Sequence, residues 1–214
     1  MGILLHGRII GRGWRNRIVS RILAHRVRYH HPTMLCHDTT IWDYAYADID
    51  AIQIGKHVSI GPYAEIRVYK RSPRSSVEGR LILGDRVLLG AGVNIIAAGG
   101  TIRLGEASGI GQHSVAVAAN HQVRLGREYL YTAWNETRTG VEIGDNVWVA
   151  ANCVLLPGTR IGSNSVIGAG SVVSGEVPAN EIWAGVPARK VKDVPADGSA
   201  GPQTRSEQSP APPG

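Results

Sequence analysis

His121 is the residue of this sequence whose type and position best suit it to chemistry. It lies in Ala118-Ala119-Asn120-His121-Gln122, where a regular pattern of aliphatic residues stops and does not resume until Ile143. Imidazole, as a side-chain type, ionises near neutral pH, so it can take a proton from a hydroxyl or an amine during a reaction. His121 is therefore a candidate for proton transfer at the rim of a groove. His57 and His113 stand beside glycine corners of the pattern, and we expect them to be solvated surface groups.

The aliphatic pattern that positions His121 has a period of six residues. Its stations are Ile54, Ile60, Ile66, Leu83, Leu89, Ile95, Leu104, Ile110, Ala116, Ile143, Val149, Leu155, Ile161, Ile167 and Val173. A glycine often follows the aliphatic residue directly, and the side chain four positions later is small or slim. Such a pattern is typical of a hexapeptide repeat, in which both positions point into the core.

Three hexads form one triangular coil, and successive coils stack about 4.8 Å apart through backbone hydrogen bonds. The pattern therefore predicts an all-β fold, a parallel β-helix of about five coils within residues 38–192. Longer spacings predict loops at 69–82 and 117–142, and loops that interrupt a solenoid tend to leave it on one face.

Both ends of the chain differ from the solenoid in composition. Residues 1–37 contain seven arginines and no acidic residue, although the formal charge of the whole chain is only +6. Ile3, Ile10, Trp14, Ile18 and Ile22 recur among these arginines and predict a basic amphipathic helix. Either residues 1–28 contact an anionic membrane surface, or the helix caps the open end of the solenoid. Residues 193–214 are rich in Pro, Gly, Ser and Ala and predict a disordered tail.

Composition also narrows the location and the partners. Two cysteines are too few for a disulfide framework, and Cys153 falls on an inward station, so we expect a core thiol and a cytoplasmic protein. The basic segment is broken by arginines every few residues, which argues against a signal peptide or a membrane span. A basic surface interleaved with aromatic residues does not continue into the solenoid, so we expect no nucleic-acid partner.

Three stretches resemble the left-handed β-helix, hexapeptide-repeat acyltransferases, in particular the maltose, galactoside and nodulation-type sugar O-acetyltransferases. The stretches are 104–121, 143–162 and 167–191, and the last ends in Gly185-Val186-Pro187-Ala188-Arg189. The resemblance covers roughly residues 50–192. It implies a left-handed β-helix, a homotrimer, acetyl-CoA as donor, no metal, and a sugar or glycan acceptor such as a polysaccharide or glycolipid precursor.

The resemblance also implies roles for particular residues. His121 would be the catalytic base for direct transfer, without a covalent acyl-enzyme. The cofactor-binding positions would be Ala151, Ala169, Ser174, Gly175, Arg189 and Lys192. Gly175 departs from the family, which often has lysine there. By the same resemblance, Asn94 would contact the acceptor. Tyr131, Trp134 and Glu136 are suited by their types to contact a sugar, with the equal alternative that the aromatic residues pack the loop onto the coil. Either Glu128 or Glu136 would orient His121.

Two other functions remain open on the sequence alone. A γ-type carbonic anhydrase would share the fold but would need a zinc ion held by three histidines, for which the chain offers His57, His113 and His121. A non-catalytic hexapeptide scaffold would keep the trimer but would not bind coenzyme A.

Overall fold

Residues 21–42 and 49–196 are described by a computed structural model of the protein. They form a left-handed parallel β-helix, in which three flat sheets enclose one aliphatic core. The chain passes through sheets A, B and C in turn, so that three short strands complete one coil. The fold class predicted from the hexads is confirmed.

Sheet A has eight strands, in the spatial order β1 (Leu35–Cys36), β4 (Ser59–Ile60), β7 (Leu88–Leu89), β10 (Gly109–Ile110), β13 (Trp148–Val149), β16 (Val166–Ile167), β19 (Glu181–Gly185) and β20 (Ala188–Asp193). Sheet B has six, β2 (Ile41–Trp42), β5 (Glu65–Tyr69), β8 (Asn94–Ala98), β11 (Val115–Val117), β14 (Val154–Leu155) and β17 (Val172–Val173). Sheet C also has six, β3 (Ile52–Ile54), β6 (Arg80–Leu83), β9 (Thr101–Leu104), β12 (Val141–Ile143), β15 (Thr159–Ile161) and β18 (Glu176–Val177). Short 3₁₀ turns occur at Ile49–Ala51 and Tyr129–Tyr131.

The first eighteen strands make six coils, one more than the hexads predict. The fifteen hexad stations lie on β3 to β17, so the strands beyond the predicted pattern are β1, β2 and β18. Cys36 of β1 and Trp42 of β2 pair with the stations Ile60 and Ile66, so they keep the six-residue spacing but are not aliphatic. Strand β1 begins three residues before the expected boundary at residue 38. After the sixth coil, β19 and β20 close sheet A as an antiparallel pair.

Small polar residues at the corners hold successive coils together. Ser114 is fully buried, and its hydroxyl donates to the Ala150 carbonyl at 3.0 Å and accepts the Cys153 N–H at 3.0 Å. Ser108 forms the same pair of contacts with Gly144 and Val147. Because buried polar groups need partners, these hydroxyls fix the stacking of one coil on the next.

The described end of the basic segment packs onto the solenoid. A helix at residues 21–30 places Leu23 and Val27 in the core, and Arg28 forms an ion pair with Asp38 at 2.8 Å. Ile22, the last residue of the predicted apolar stripe, is 54% exposed, so the buried face of this helix is not the predicted one. The rest of the predicted stripe, together with the tail beyond Ala196, lies outside the described residues. Within the described ranges, no helix is both long and apolar enough to span a membrane.

Both predicted loops leave the solenoid at the same corner. Residues 70–79 connect β5 to β6, and residues 118–140 connect β11 to β12, so each joins a strand of sheet B to one of sheet C. We call this corner, formed by residues 70–79, 99–100, 118–140, 156–158 and 174–175, the B–C edge. The expectation that the loops share one side of the solenoid is confirmed by their connections, and His121 lies on this edge.

Candidate active site

His121 lies at the base of the 118–140 loop. It forms a single antiparallel bridge with Trp134, and the Asn135 N–H donates to the Asn120 carbonyl at 2.8 Å beside it. The loop therefore returns onto its own start. This short pairing holds His121 against the rigid end of the solenoid strand instead of at the loop tip.

Two aromatic rings enclose the imidazole. The ring of Tyr129 meets it edge to face with a centroid separation of 5.7 Å, and the ring of Trp134 does so at 6.2 Å. Such perpendicular contacts are a favoured geometry for aromatic pairs. Since the two rings come from either arm of the loop, the loop fold fixes the orientation of His121.

The Nδ1 atom of His121 is buried and has no hydrogen-bond partner among the described residues. Neither Glu128 nor Glu136, the two carboxylates considered as its orienting partner, makes that contact in this chain.

Glu136 instead joins the two loops. Its carboxylate accepts hydrogen bonds from the Ser75 hydroxyl at 2.8 Å and from the N–H and hydroxyl of Ser76 at 2.6 and 3.0 Å. These bonds, the one from Ser75 foremost, lower the pKa of Glu136. The contact with the 70–79 loop favours a structural role for Glu136 over the predicted contact with an acceptor.

Trp134 is seated where Gly99 leaves space on the B–C edge. A Cβ added to Gly99 would lie 2.5 Å from Cε3 of Trp134 and 3.1 Å from the Cβ of Ala119. Gly99 also has a φ of +64°, a conformation that other residues adopt at a cost. Gly99 therefore leaves the room that the Trp134 ring occupies beside His121.

We predict that Gly99→Ala displaces Trp134 and impairs catalysis. The new methyl group would add a steric clash to the cost of a positive φ, which is about 1–2 kcal/mol. Gly126→Ala is the matched control, because Gly126 also has a positive φ, +73°, but no heavy atom within 4 Å of an added Cβ. The free energy of unfolding in denaturant and the turnover number should both be lower for Gly99→Ala than for Gly126→Ala. Equal losses in the two variants would show that the seat of Trp134 is unimportant.

The B–C edge continues past His121 as a row of glycines in four successive coils: Gly100, Gly140, Gly158 and Gly175. The Gly140 N–H donates to the Ala118 carbonyl at 2.7 Å, and the Gly158 N–H donates to the Gly140 carbonyl at 2.7 Å. Ser174 and Gly175 thus stand two coils, about 10 Å, from the level of Ala118. Both predicted cofactor positions share the edge with His121.

Arg138 is a residue of this edge that the sequence analysis missed. Its guanidinium reaches from the long loop to the hydroxyl of Ser174, with Nη2 and Oγ 3.1 Å apart. No sequence signal separates it from the other arginines of the loop, because the contact joins segments 36 residues apart.

Ala151 and Ala169 are not brought to His121 within one chain. They lie at the corners between sheets A and B, whereas His121 and Ser174 lie at the B–C edge. The outer face of sheet B separates the two groups. In one chain, the predicted cofactor positions therefore lie along the two opposite borders of sheet B.

Arg189 and Lys192 are exposed on β20 at the end of the solenoid. Lys190, between them, is paired with Glu181 and Asp193, at 2.7 Å in each case, and these carboxylates raise its pKa. Among the described residues, neither Arg189 nor Lys192 has a carboxylate within ion-pair distance. These two cations remain available to an anion.

The predicted acceptor residues are dispersed. Tyr131 is 78% exposed on the 118–140 loop. Asn94 lies on the outer face of sheet B, where its Nδ2 donates to Glu65 at 3.0 Å and its buried Oδ1 has no hydrogen-bond partner in the described part of the chain. Glu65 also accepts a hydrogen bond from Arg67 Nε at 2.8 Å. The structure thus places a carboxylate and a guanidinium beside Asn94 that the sequence analysis did not consider.

The other candidate groups do not converge on His121. His57 and His113 are exposed and lie at different corners, so the three histidines occupy three separate edges of one chain. Residues 21–42 and 49–196 contain no cluster of three or more side chains suited to hold a metal ion. Cys153 is fully buried, as predicted, and burial raises the pKa of its thiol.

Comparison with known proteins gives the fold and the family. The family described as "Bacterial transferase hexapeptide (six repeats)" matches residues 140–175. Among solved structures, the N-acyltransferase AntD from Bacillus cereus, in complex with dTDP-4-amino-4,6-dideoxyglucose and Coenzyme A, is 19% identical. It superposes with a TM-score of 0.62 over 77% of this chain and 82% of that chain. A hexapeptide-repeat containing acetyltransferase from Vibrio cholerae is 19% identical, with a TM-score of 0.54 over 87% and 90%. These two similarities concern the fold.

Sequence relatives carry the comparison further. The galactoside O-acetyltransferase of Escherichia coli is 48% identical over 54 residues, which are 25% of this chain and 27% of that protein. The chain thus aligns with about a quarter of the length of such relatives. The putative colanic acid biosynthesis acetyltransferase WcaF of Escherichia coli is 30% identical over 141 residues, 66% of this chain and 69% of the relative. By this extended match, the chain belongs to the hexapeptide-repeat acetyltransferases.

Proposed function

We propose that this protein is an acetyl-CoA-dependent O-acetyltransferase that acts on a sugar hydroxyl of a polysaccharide or glycolipid precursor. The observation that carries the proposal is the position of His121, held by two aromatic rings at the head of the glycine-lined B–C edge. The relatives named for galactoside and colanic acid acetylation support a sugar acceptor. They also favour acetyl transfer over the zinc-enzyme and scaffold alternatives.

In the proposed reaction His121 is the general base. Its imidazole accepts the proton of the acceptor hydroxyl while the hydroxyl oxygen attacks the carbonyl carbon of the thioester. The C–O bond forms, the C–S bond breaks, and the leaving thiolate takes the proton back from the imidazolium. The products are the acetyl ester and free coenzyme A, and His121 returns to its neutral form. Cys153 takes no part, because its thiol is buried in the core.

We propose that the donor lies along the solenoid between His121 and its C-terminal end. Small residues at Ala151, Ala169, Ser174 and Gly175 would let the pantetheine arm approach the backbone, and Arg189 and Lys192 would bind phosphate groups. A guanidinium suits this task because its fork of N–H donors matches phosphate oxygens. Tyr131, Trp134 and Asn94 are our candidates for contact with the acceptor.

The surface of one chain suggests how copies assemble. Sheet C presents a column of charged residues, with Arg103, Glu142, Arg160 and Glu176 in register. Sheet A presents apolar side chains instead, including Leu88 and Trp148, which are 52% and 62% exposed. The last coils of sheet B present the half-buried Val115, Val154 and Val172. Two different apolar faces on each copy favour a closed ring of copies. A homotrimer would also bring the two sides of the donor site together from neighbouring chains.

We predict a trimer in solution, with a mass about three times 22.9 kDa by light scattering. Trp148→Glu, on the outer face of sheet A, should shift the population to smaller species and lower activity, because burying a charge at an apolar interface is costly. Glu142→Lys on sheet C is the matched control and should leave the mass unchanged. A fully active monomer of the parent would contradict both the trimer and the shared site.

Acetyl transfer itself is tested by a screen of acceptors. Purified protein is incubated with acetyl-CoA and a panel of sugars and lipid-linked glycans, and free thiol release and ester formation are measured together. Acceptor-dependent ester formation supports the proposal. If neither transfer nor coenzyme A binding is detected, the scaffold is favoured, and stoichiometric zinc in the purified protein would favour the carbonic anhydrase alternative.

We keep the cytoplasm as the proposed location. The helix at residues 21–30 supports the capping role for its own part of the basic segment, since Leu23 and Val27 are in the core. Peripheral contact with the inner face of a membrane is proposed only for the residues before it. Flotation with anionic vesicles, compared between the full chain and a chain lacking residues 1–20, would measure that contact.

A further inference from the structure

Arg138 is held at the B–C edge by contacts with two separate coils. Its Nη2 donates to the Ser174 hydroxyl at 3.1 Å. A Cβ added to Gly158 would come within 3.3 Å of both the Cβ and the Nε of Arg138, and one added to Gly175 would lie 3.7 Å from Nη2. The two glycine corners therefore leave the space in which this side chain lies along the solenoid.

Arg138 is exposed, and no carboxylate of the described residues lies within ion-pair distance of its guanidinium. Arg160, on the neighbouring strand, is instead paired with Glu142 at 3.0 Å. Arg138 thus uses one donor nitrogen on an uncharged hydroxyl and leaves its charge and its other donors for a ligand.

The position of this charge relates it to His121. Arg138 is two residues before Gly140, whose N–H bonds to Ala118 at the start of the His121 segment. From there the side chain extends toward Ser174, two coils farther along the solenoid. Arg138 therefore lies on the path from the proposed catalytic base to the C-terminal end, where Arg189 and Lys192 stand.

We infer that Arg138 binds a phosphate group of the acyl donor. The 118–140 loop supplies this cation to a coil corner that has no charged side chain of its own. Gly175 occupies that corner and cannot provide a cation. This inference rests on the proposed function, because the ligand is the coenzyme A part of the donor. It makes the long loop part of the donor site as well as the support of His121.

The test is coenzyme A binding by Arg138→Gln, measured by calorimetry with the full-length protein. Loss of a charge-assisted phosphate contact should raise the Kd about tenfold or more. Arg127→Gln is the matched control: it removes the same charge from the same loop, but its side chain lies at the loop tip beside Gly126 and Tyr131. The control should bind as the parent does, and both variants should unfold at the temperature of the parent.

Three ligands identify which group is bound. Dephospho-coenzyme A lacks the 3′-phosphate, and acetyl-pantetheine lacks all phosphates of the nucleotide part. If Arg138 binds the 3′-phosphate, the difference between Arg138→Gln and the parent should disappear with dephospho-coenzyme A. If it binds the diphosphate, the difference should persist there and disappear only with acetyl-pantetheine as donor in the transfer assay.

The outcomes separate this inference from the function on which it rests. If the parent binds coenzyme A and Arg138→Gln binds it equally well, the assignment of Arg138 is overturned while acetyl transfer stands. If the variant has an unchanged Kd for coenzyme A but a raised KM for the acceptor, the charge belongs to the acceptor site, and the inference is again wrong. If the parent itself does not bind coenzyme A, the proposed function fails first.

Discussion

Replacing His121 with alanine should lower turnover by about 10²- to 10⁴-fold, the range expected for loss of a general base. The imidazole is half-buried between Tyr129 and Trp134 and is not part of the aliphatic core, so the fold should persist. The assay is acetyl transfer at saturating donor and acceptor. Coenzyme A affinity and the mass of the assembly should stay at the parent values.

A control variant distinguishes the loss of a base from the loss of any histidine. His57→Ala removes an exposed imidazole from a different corner and should keep full activity. If the His121 variant retains activity within about threefold of the parent, another group accepts the proton, and His113 would be the next residue to replace.

Reversing both Arg189 and Lys192 to glutamate should raise the KM for acetyl-CoA about 100-fold or more, since two charge-assisted contacts are lost and repulsion is added. The turnover number should change much less. Phosphate contacts far from the thioester stabilise the ground state and the transition state alike. In the parent protein, the contribution of these two cations to acetyl-CoA binding should weaken with added salt, because both are exposed.

Two comparisons test whether this effect is specific. With acetyl-pantetheine, which lacks the phosphates, parent and double mutant should have equal KM values. A second double reversal, at Lys56 and Arg103 on other faces of the solenoid, changes the net charge equally and should leave the KM for acetyl-CoA near that of the parent. Impairment of the Arg189 and Lys192 variant with the short donor would instead assign these residues to the fold or to the acceptor site.

The sequence by itself determines the solenoid, because the core requires the same residue types at the same positions of every coil. Every inward station of a coil needs an aliphatic side chain, and the corner position four residues later has room only for a small one. Ile95, Ala116 and Cys153 meet that demand and are fully buried. The sequence also indicated His121 as a candidate, because it stands where the repeat stops. Strands β1 and β2 were missed because Cys36 and Trp42, although six residues apart, are not aliphatic.

Only the tertiary structure decided how the loops build the site. Glu136 bonds to Ser75 and Ser76, about sixty residues away, and Trp134 lies over Gly99. Arg138 meets Ser174 across 36 residues. These contacts depend on which segments leave the β-helix at the same corner.

The division of the predicted donor site has the same origin. Ala151 and Ser174 belong to one sequence pattern, but they lie at opposite borders of sheet B. A period of six residues determines that a side chain points inward or outward and which corner it is near. It contains no information on which two edges meet around a ligand. In the proposed trimer the packing of whole faces would bring two edges together, and the loops that leave the repeat determine which charges reach the B–C edge.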